Sequence, residues 1–187
     1  MGKELHTLTD EELYDKLAEG KAVGREAFEL LYSRYANRIY TYCRKIMGDE
    51  RQAEDLFQET FTRFYEASTK EKKMTHVAGY LIRIARNLCL NEKQKKVNQG
   101  VPLEEFRLIY NDQTLNKMEM SEILNMGLDA LPENYKEVIV LKEVMGFSYQ
   151  EIADTLGVTL PLIRIRIHRA KARLREILQP YFEEYEK

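Results

Sequence analysis

FSYQEIADTLGVTLPLIRIRIHRAKARLR, residues 147–175, reads as two helices joined by a tight turn. Ser148 and Glu151 have the spacing of a capping box, in which the hydroxyl accepts from a free helix-start N–H and the glutamate reaches back to the serine amide. A short helix should follow, with Ile152, Ala153 and Leu156 as its buried face. Leu156-Gly157-Val158 is then the turn, where glycine supplies a backbone angle that other residues resist. Thr159 is placed to cap the second helix, and Pro161 falls in its first turn, where a missing N–H costs little. On the helical repeat, Ile163, Ile167, Ala170 and Leu174 share the core side. Ile165 and His168 lie opposite, flanked by Arg164 and Arg169. Between 164 and 175 there are six basic residues and no acidic one. Such a helix, short-turned from its predecessor, suits the major groove of duplex DNA. Arg164 and Arg169 are candidates for guanine edges or phosphates, Ile165 for a thymine methyl and His168 for either. Arg166, Lys171, Arg173 and Arg175 complete the basic set. A solvated charged face is the bland alternative, and the caps, the turn and the unbroken positive sign together weigh against it.

Working upstream, helical spacing continues to about Lys117, and Val138-Ile139-Val140-Leu141 keeps it too, although it is apolar enough for a strand. From Val97 to about Tyr110 the periodicity lapses, with Asn98-Gln99-Gly100 and Pro102 as breakers. This marks a flexible linker, taken as 98–116, between a domain at 1–97 and another at 117–187. In the first domain Thr9-Asp10-Glu11-Glu12 reads as a second capping box, opening a short helix that ends by Gly20. A longer helix spans about 25–47, from the recurrence of Phe28, Leu31, Tyr35, Ile39, Tyr42 and Ile46, and Gly48-Asp49 stops it. A third helix over 50–67 carries Ala53, Phe57, Thr60, Phe61 and Phe64 along one stripe. A polar loop at 68–75 precedes a fourth helix over 77–96. The fold class is therefore all-α, two small helical domains.

The fourth helix has a basic face of its own. Leu81, Ile84, Ala85 and Leu88 define its core stripe, while Arg83, Arg86 and Asn87 project from the other side. Lys93, Lys95 and Lys96 extend the charge, so that 72–96 holds seven basic residues and one acidic. With Tyr80 and the aromatics of the neighbouring helix (Phe57, Phe61, Phe64, Tyr65), this has the ingredients of a single-stranded nucleic-acid surface. The phenylalanines themselves read as core. Asp55 and Glu59 stand one turn apart with Gln58 beside them. No His or Cys joins them and no glycine-rich loop is near, so a protein-binding face is the better reading than a catalytic or metal site.

Composition narrows the class further. The formal charge of −2 hides −3 over 1–24, +5 over 25–97, −3 over 98–126 and −1 over 127–187. A protein that grips DNA unaided usually carries a basic domain. A chain locally basic but globally acidic should bind DNA weakly until a partner helps. No apolar run approaches a membrane span, and the polar start MGKELHTLTDEE is no signal peptide. Cys43 and Cys89 lack metal-ligand spacing and sit in apolar surroundings, which suits a reducing cytoplasm.

Together these segments resemble extracytoplasmic-function sigma factors of the sigma-70 family, over nearly the whole chain. DEELYDKLAEGKAVGREAFELLYSRYANRIY is similar to the family's start. AEDLFQETF matches the stretch that grips the clamp helices of the polymerase largest subunit, which implies Asp55, Gln58 and Glu59 as residues facing core RNA polymerase. GYLIRIARNLCLN resembles the segment that recognises and melts the minus-ten element in region 2, implying Tyr80, Arg83, Arg86, Asn87 and Lys93 there, with 68–76 as the base-capturing loop. LDALPENYKEVIVLKEVMGFSYQEIADTLGVT and IHRAKARL are similar to the minus-thirty-five domain, region 4. That implies Arg164, Ile165, Arg166, His168, Arg169 and Lys171 as its promoter DNA contacts. The resemblance also implies an anti-sigma factor, and neither a cofactor, a small-molecule substrate nor an enzymatic reaction. The chain departs from the family at Tyr80, commonly Trp, and at Asn91, commonly Asp. It also has Pro161-Leu162-Ile163-Arg164-Ile165-Arg166 where Gly-Thr-Val-Lys/Arg-Ser-Arg is common. Leu162 and Ile165 remove two hydroxyls from the DNA-facing stretch and favour thymine methyls. Two rival readings are a conventional helix-turn-helix regulator, which would bind duplex without polymerase, and a sigma-like decoy that sequesters an anti-sigma factor. The decoy should have lost Arg83, Arg86, Arg164 and Arg169, and all four are present.

Overall fold

The computed structural model describes residues 5–68, 74–99 and 119–185. The chain divides into two compact units, Met1–Lys93 and Gln94–Lys187, and among the described residues every regular element is helical. In the first unit the helices are α1 (Asp10–Lys16), α2 (Lys21–Met47), α3 (Glu50–Ser68) and α4 (Val77–Asn98), whose last turn enters the second unit.

The capping box at α1 forms as read: Thr9 Oγ1 accepts from the Glu12 amide at 3.2 Å, and the Thr9 amide donates to Glu12 Oε2 at 2.8 Å. That backbone bond holds the Glu12 carboxyl below its ordinary value. Gly20 (φ 63°) separates α1 from α2. The long helix begins at Lys21, ahead of the expected start, and Gly24 lies inside it because a Cβ there would meet the Leu17 carbonyl oxygen at 2.5 Å. Leu31, Tyr35, Ile39, Tyr42 and Ile46 form its buried stripe, while Phe28 is half-buried. Gly48 (φ 75°) ends it in the left-handed region, and Asp49 Oδ1 then accepts from the Gln52 amide at 2.8 Å, opening α3. Asp10 locks α1 to the middle of α2, its carboxylate accepting from Arg34 Nη1 at 2.6 Å and from the Tyr35 hydroxyl. Burial, with that bond to Asp10 second, pushes the Tyr35 phenol well above its ordinary value. α4 buries Leu81, Ile82, Ala85, Leu88 and Cys89. The expected stripe is corrected at one position: Ile84 is half-exposed and Ile82 takes its place. Apolar residues occupy both positions, so spacing alone permits either, and packing selects the arc shared with Cys89.

The second unit holds α5 (Met120–Asp129), α6 (Glu133–Ile139) continuing into a π-turn (Val140–Val144), α7 (Tyr149–Leu156) and α8 (Leu160–Tyr185). α5 starts at Met120, where Glu119 and Glu122 make a reciprocal capping box, with Glu119 N–H to Glu122 Oε2 at 3.0 Å. Val138–Leu141 is helical and buried, as its flanks required. The π-turn is new: the Met145 amide donates to the Val140 carbonyl at 3.0 Å and the Phe147 amide to Leu141 at 3.0 Å. Ile123, Leu141, Ile152 and Ile163, all 2% exposed or less, anchor the core of this unit. Burying each such side chain contributes roughly 1.5–3 kcal/mol before chain entropy is set against it. α8 continues through Pro180, and Tyr181 packs on the cluster of Ile123, Leu174 and Leu178. The expected linker at 98–116 lies outside the described residues from 100 onward, and Asn98 still belongs to α4.

Candidate nucleic-acid interface

The helix-turn-helix is built by local chemistry. Ser148 Oγ accepts from the Glu151 amide at 3.2 Å, and the Ser148 amide donates to Glu151 Oε2 at 2.7 Å, so α7 starts where the sequence says. Gly157 (φ 66°) turns the chain, and the Val158 amide closes the turn on the Ala153 carbonyl at 3.0 Å. The Thr159 carbonyl takes the first intrahelical bond of α8, from Ile163 at 3.2 Å. The buried face of α7 is Ile152, Ala153 and Thr155; Leu156, expected in it, is half-buried, because the helix ends there and the turn lifts it outward.

On α8 the core side is Ile163, Ile167 and Ala170, each 2% exposed or less, with Leu174 half-buried. Facing away are Arg164, His168, Arg169 and Ile165, the last 48% exposed, with Leu162 beside them. Arg166 is half-buried. Lys171 is exposed, but its ammonium sits 2.8 Å from Glu143 Oε1, which raises its pKa. Lys142, next to Glu143, donates to the Phe147 carbonyl at 3.2 Å and lies 5.2 Å from the Tyr149 ring centre.

In the first unit, α4 presents Arg83 and Asn87 to solvent, with Tyr80, Arg86 and Lys93 half-buried. Tyr80 leans on Phe64, with ring centres 6.3 Å apart. Leu90, not singled out by the sequence, is exposed one turn beyond Arg86. Of the loop at 68–76, Ser68 closes α3, and 69–73 lie outside the described residues.

On α3, Asp55 and Gln58 are exposed, while Glu59 is half-buried and paired with Arg63 at 2.7 Å. An aromatic cluster that the spacing along either helix alone does not reveal runs along the α2–α3 seam. Phe28, Tyr32, Phe57 and Phe61 form a chain of ring contacts, with Tyr32 and Phe61 centres 4.8 Å apart and Tyr65 joining through Phe28 at 5.5 Å. Phe61 and Phe64 are core, as read, but Phe57 is half-buried and Tyr32 and Tyr65 face solvent. The signal was the (i, i+4) spacing of Phe28 and Tyr32, which only the partner helix turns into a cluster. Cys43 and Cys89 are buried free thiols. Among the described residues, no group of three or more His, Cys, Asp and Glu could hold a metal, and no helix is long and apolar enough to cross a membrane.

Comparison with known proteins fits this geometry. The sigma-70 region 2 family matches residues 31–98, and the sigma-70 region 4 family matches residues 121–174. The chain is 31% identical over 174 residues to the ECF RNA polymerase sigma factor SigE of Mycolicibacterium smegmatis, covering 89% of this chain and 67% of that one. The chain belongs to the extracytoplasmic-function sigma factors of the sigma-70 family. This sigma factor is also 27% identical over 178 residues to SigW of Bacillus subtilis, covering 88% of this chain and 95% of that protein. Among solved structures it shares its fold with the sigma factor RpoE of Bartonella quintana, there in complex with the anti-sigma factor NepR, at TM-score 0.69 and 22% identity. That alignment covers 81% of this sigma factor and 96% of the other chain. CnrH, in complex with the cytosolic domain of CnrY, matches at TM-score 0.63 and 22% identity, over 91% and 97% of the two chains. As a sigma factor, the chain directs RNA polymerase to promoters for transcription initiation.

Proposed function

We propose that the three faces divide the work of initiation. The α3 face, Asp55, Gln58 and Glu59, docks core RNA polymerase. The α4 face, Tyr80, Arg83, Arg86, Asn87 and Lys93, holds the separated strand at minus ten. The α8 face, Arg164, Ile165, Arg166, His168, Arg169 and Lys171, reads duplex at minus thirty-five. Residues 1–97 and 117–187 act as the two domains, and 98–116 spaces the two DNA-reading faces once polymerase holds both. Unstacking bases costs a few kcal/mol per step, which cationic and aromatic contacts along α4 offset. The chain makes and breaks no bond, needs no cofactor, and works beside polymerase in the cytoplasm.

The observation that carries this reading is the solvent-facing row of Arg164, Ile165, His168 and Arg169 on a helix set by a capped turn. A conventional regulator would use the same row, but would have no need for the exposed Asp55 and Gln58. An anti-sigma partner is supported by the two fold neighbours, both solved with one or with a cytosolic partner domain. The test is run-off transcription on fragmented genomic DNA with purified core polymerase. Added protein should create new starts that share two spaced upstream elements. Polymerase-free binding to duplex with no new starts would favour the regulator, and silence in both assays would favour the decoy.

A further inference from the structure

The six cations between 164 and 175 are not equivalent in the fold. Among the described residues Arg164, Arg166, Arg169 and Arg175 have no carboxylate in ion-pair range, and Arg173 pairs within its own helix with Glu176 at 2.9 Å. Lys171 alone is held from another element, by Glu143 at 2.8 Å, with both side chains about half exposed (50% and 47%). Glu143 reaches it from the π-turn. The wide bond from Met145 to Val140 puts an additional residue into that turn and rotates its side chains away from their α-helical directions. Lys142 is turned to the Phe147 carbonyl and the Tyr149 ring, so it does not compete for the carboxylate.

We propose that Glu143 is an electrostatic brake built into the duplex-reading domain: it holds Lys171 off the DNA phosphates and keeps the affinity of the polymerase-free chain low. The inference rests on α8 being the duplex-binding helix. A phosphate and the Glu143 carboxylate are rivals for one ammonium. Net attraction on α8 is thereby one contact smaller than its cation count suggests.

The test is a salt series of binding between the full chain and a short duplex of mixed sequence, read by fluorescence anisotropy. Glu143→Gln should bind several-fold more tightly at low salt, and the log–log slope should steepen by about 0.9, the increment for one further phosphate neutralised. Lys171→Gln, which removes the cation itself, supplies the baseline slope for the double variant. Glu143→Gln with Lys171→Gln should match Lys171→Gln, because the gain needs the lysine. An unchanged slope in Glu143→Gln, or a gain that survives loss of Lys171, overturns the brake. Arg169→Gln separates this from the underlying reading. If it flattens the slope while Glu143→Gln does nothing, the brake alone is wrong. If neither variant moves the slope, α8 is not the phosphate-binding helix and both readings fall.

Discussion

Ile165 stands 48% exposed on a helix whose outward neighbours are Arg164, His168 and Arg169. A large aliphatic in that row has nothing to recognise on a phosphate, but it matches the 5-methyl group of thymine. Templates carrying uracil in place of thymine in the upstream element lack only that methyl. The unaltered factor should lose about fourfold in initiation for each contacted methyl, from ~0.8 kcal/mol per buried carbon, and Ile165→Ser should be indifferent to the exchange. Equal initiation from both templates by the unaltered factor would remove the methyl contact. Gly24 makes a second case at this scale. Its missing Cβ would lie 2.5 Å from the Leu17 carbonyl, a backbone atom that cannot rotate away. Gly24→Ala should therefore destabilise the first unit by about 1–3 kcal/mol in denaturant melts, despite alanine's better helix propensity. The reading of single residues from sequence worked where a position was chemically unambiguous, as at Gly157 or Ser148. It slipped at Ile82 against Ile84 and at Thr155 against Leu156, where adjacent side chains could each have turned inward and only the neighbouring helix decides.

Elements were legible to the extent that their ends carry chemistry. Three capping boxes begin α1, α5 and α7, and glycines with φ near +65° to +75° stop or separate their neighbours. The boxes at Thr9 and Ser148 and the stops at Gly48 and Gly157 could all be read in advance. The box at Glu119 could not, because glutamate is an unusual first residue for it. The π-turn left no mark either: Val138–Leu141 is apolar throughout, so an added residue in the helix breaks no visible pattern. The packing of α5 on α8 was equally hidden, since it depends on an absent side chain. A Cβ on Gly127 would meet Leu178 Cδ2 at 2.7 Å and Leu174 Cδ1 at 3.0 Å. Those are flexible ends that could yield to alanine, but a branched side chain should lever the two helices apart. Gly127→Val is expected to speed amide exchange over 174–182 while 163–170, held by Ile163, Ile167 and Ala170, stays protected. Uniform loss of protection along α8 would show that α5 supports the whole helix instead.

Across the whole molecule, a charge of −2 beside +5 over residues 25–97 leads us to expect DNA contact to be local and partner-dependent. Asp55 belongs to this scale, because its side chain is exposed on α3 and lies on the opposite side of that helix from the buried stripe. Asp55→Lys should weaken binding to core polymerase by tenfold or more, roughly the 1.4 kcal/mol of a lost charge-assisted contact. Its melting temperature and its polymerase-free affinity for duplex should change little. Tighter duplex binding in that variant, with polymerase binding unchanged, would place DNA, not polymerase, on α3. Two domains and their order were readable from the lapse in periodicity after Val97, whereas the aromatic seam of Phe28, Tyr32 and Tyr65 needed two helices brought side by side. The buried thiols give the molecule one further property. Both cysteines, Cys43 and Cys89, lie in the first unit at 0% exposure, and the second unit has none. A thiol reagent therefore reacts only when that first unit opens, so the native chain carries its own clock for the breathing of one half and is blind to the other.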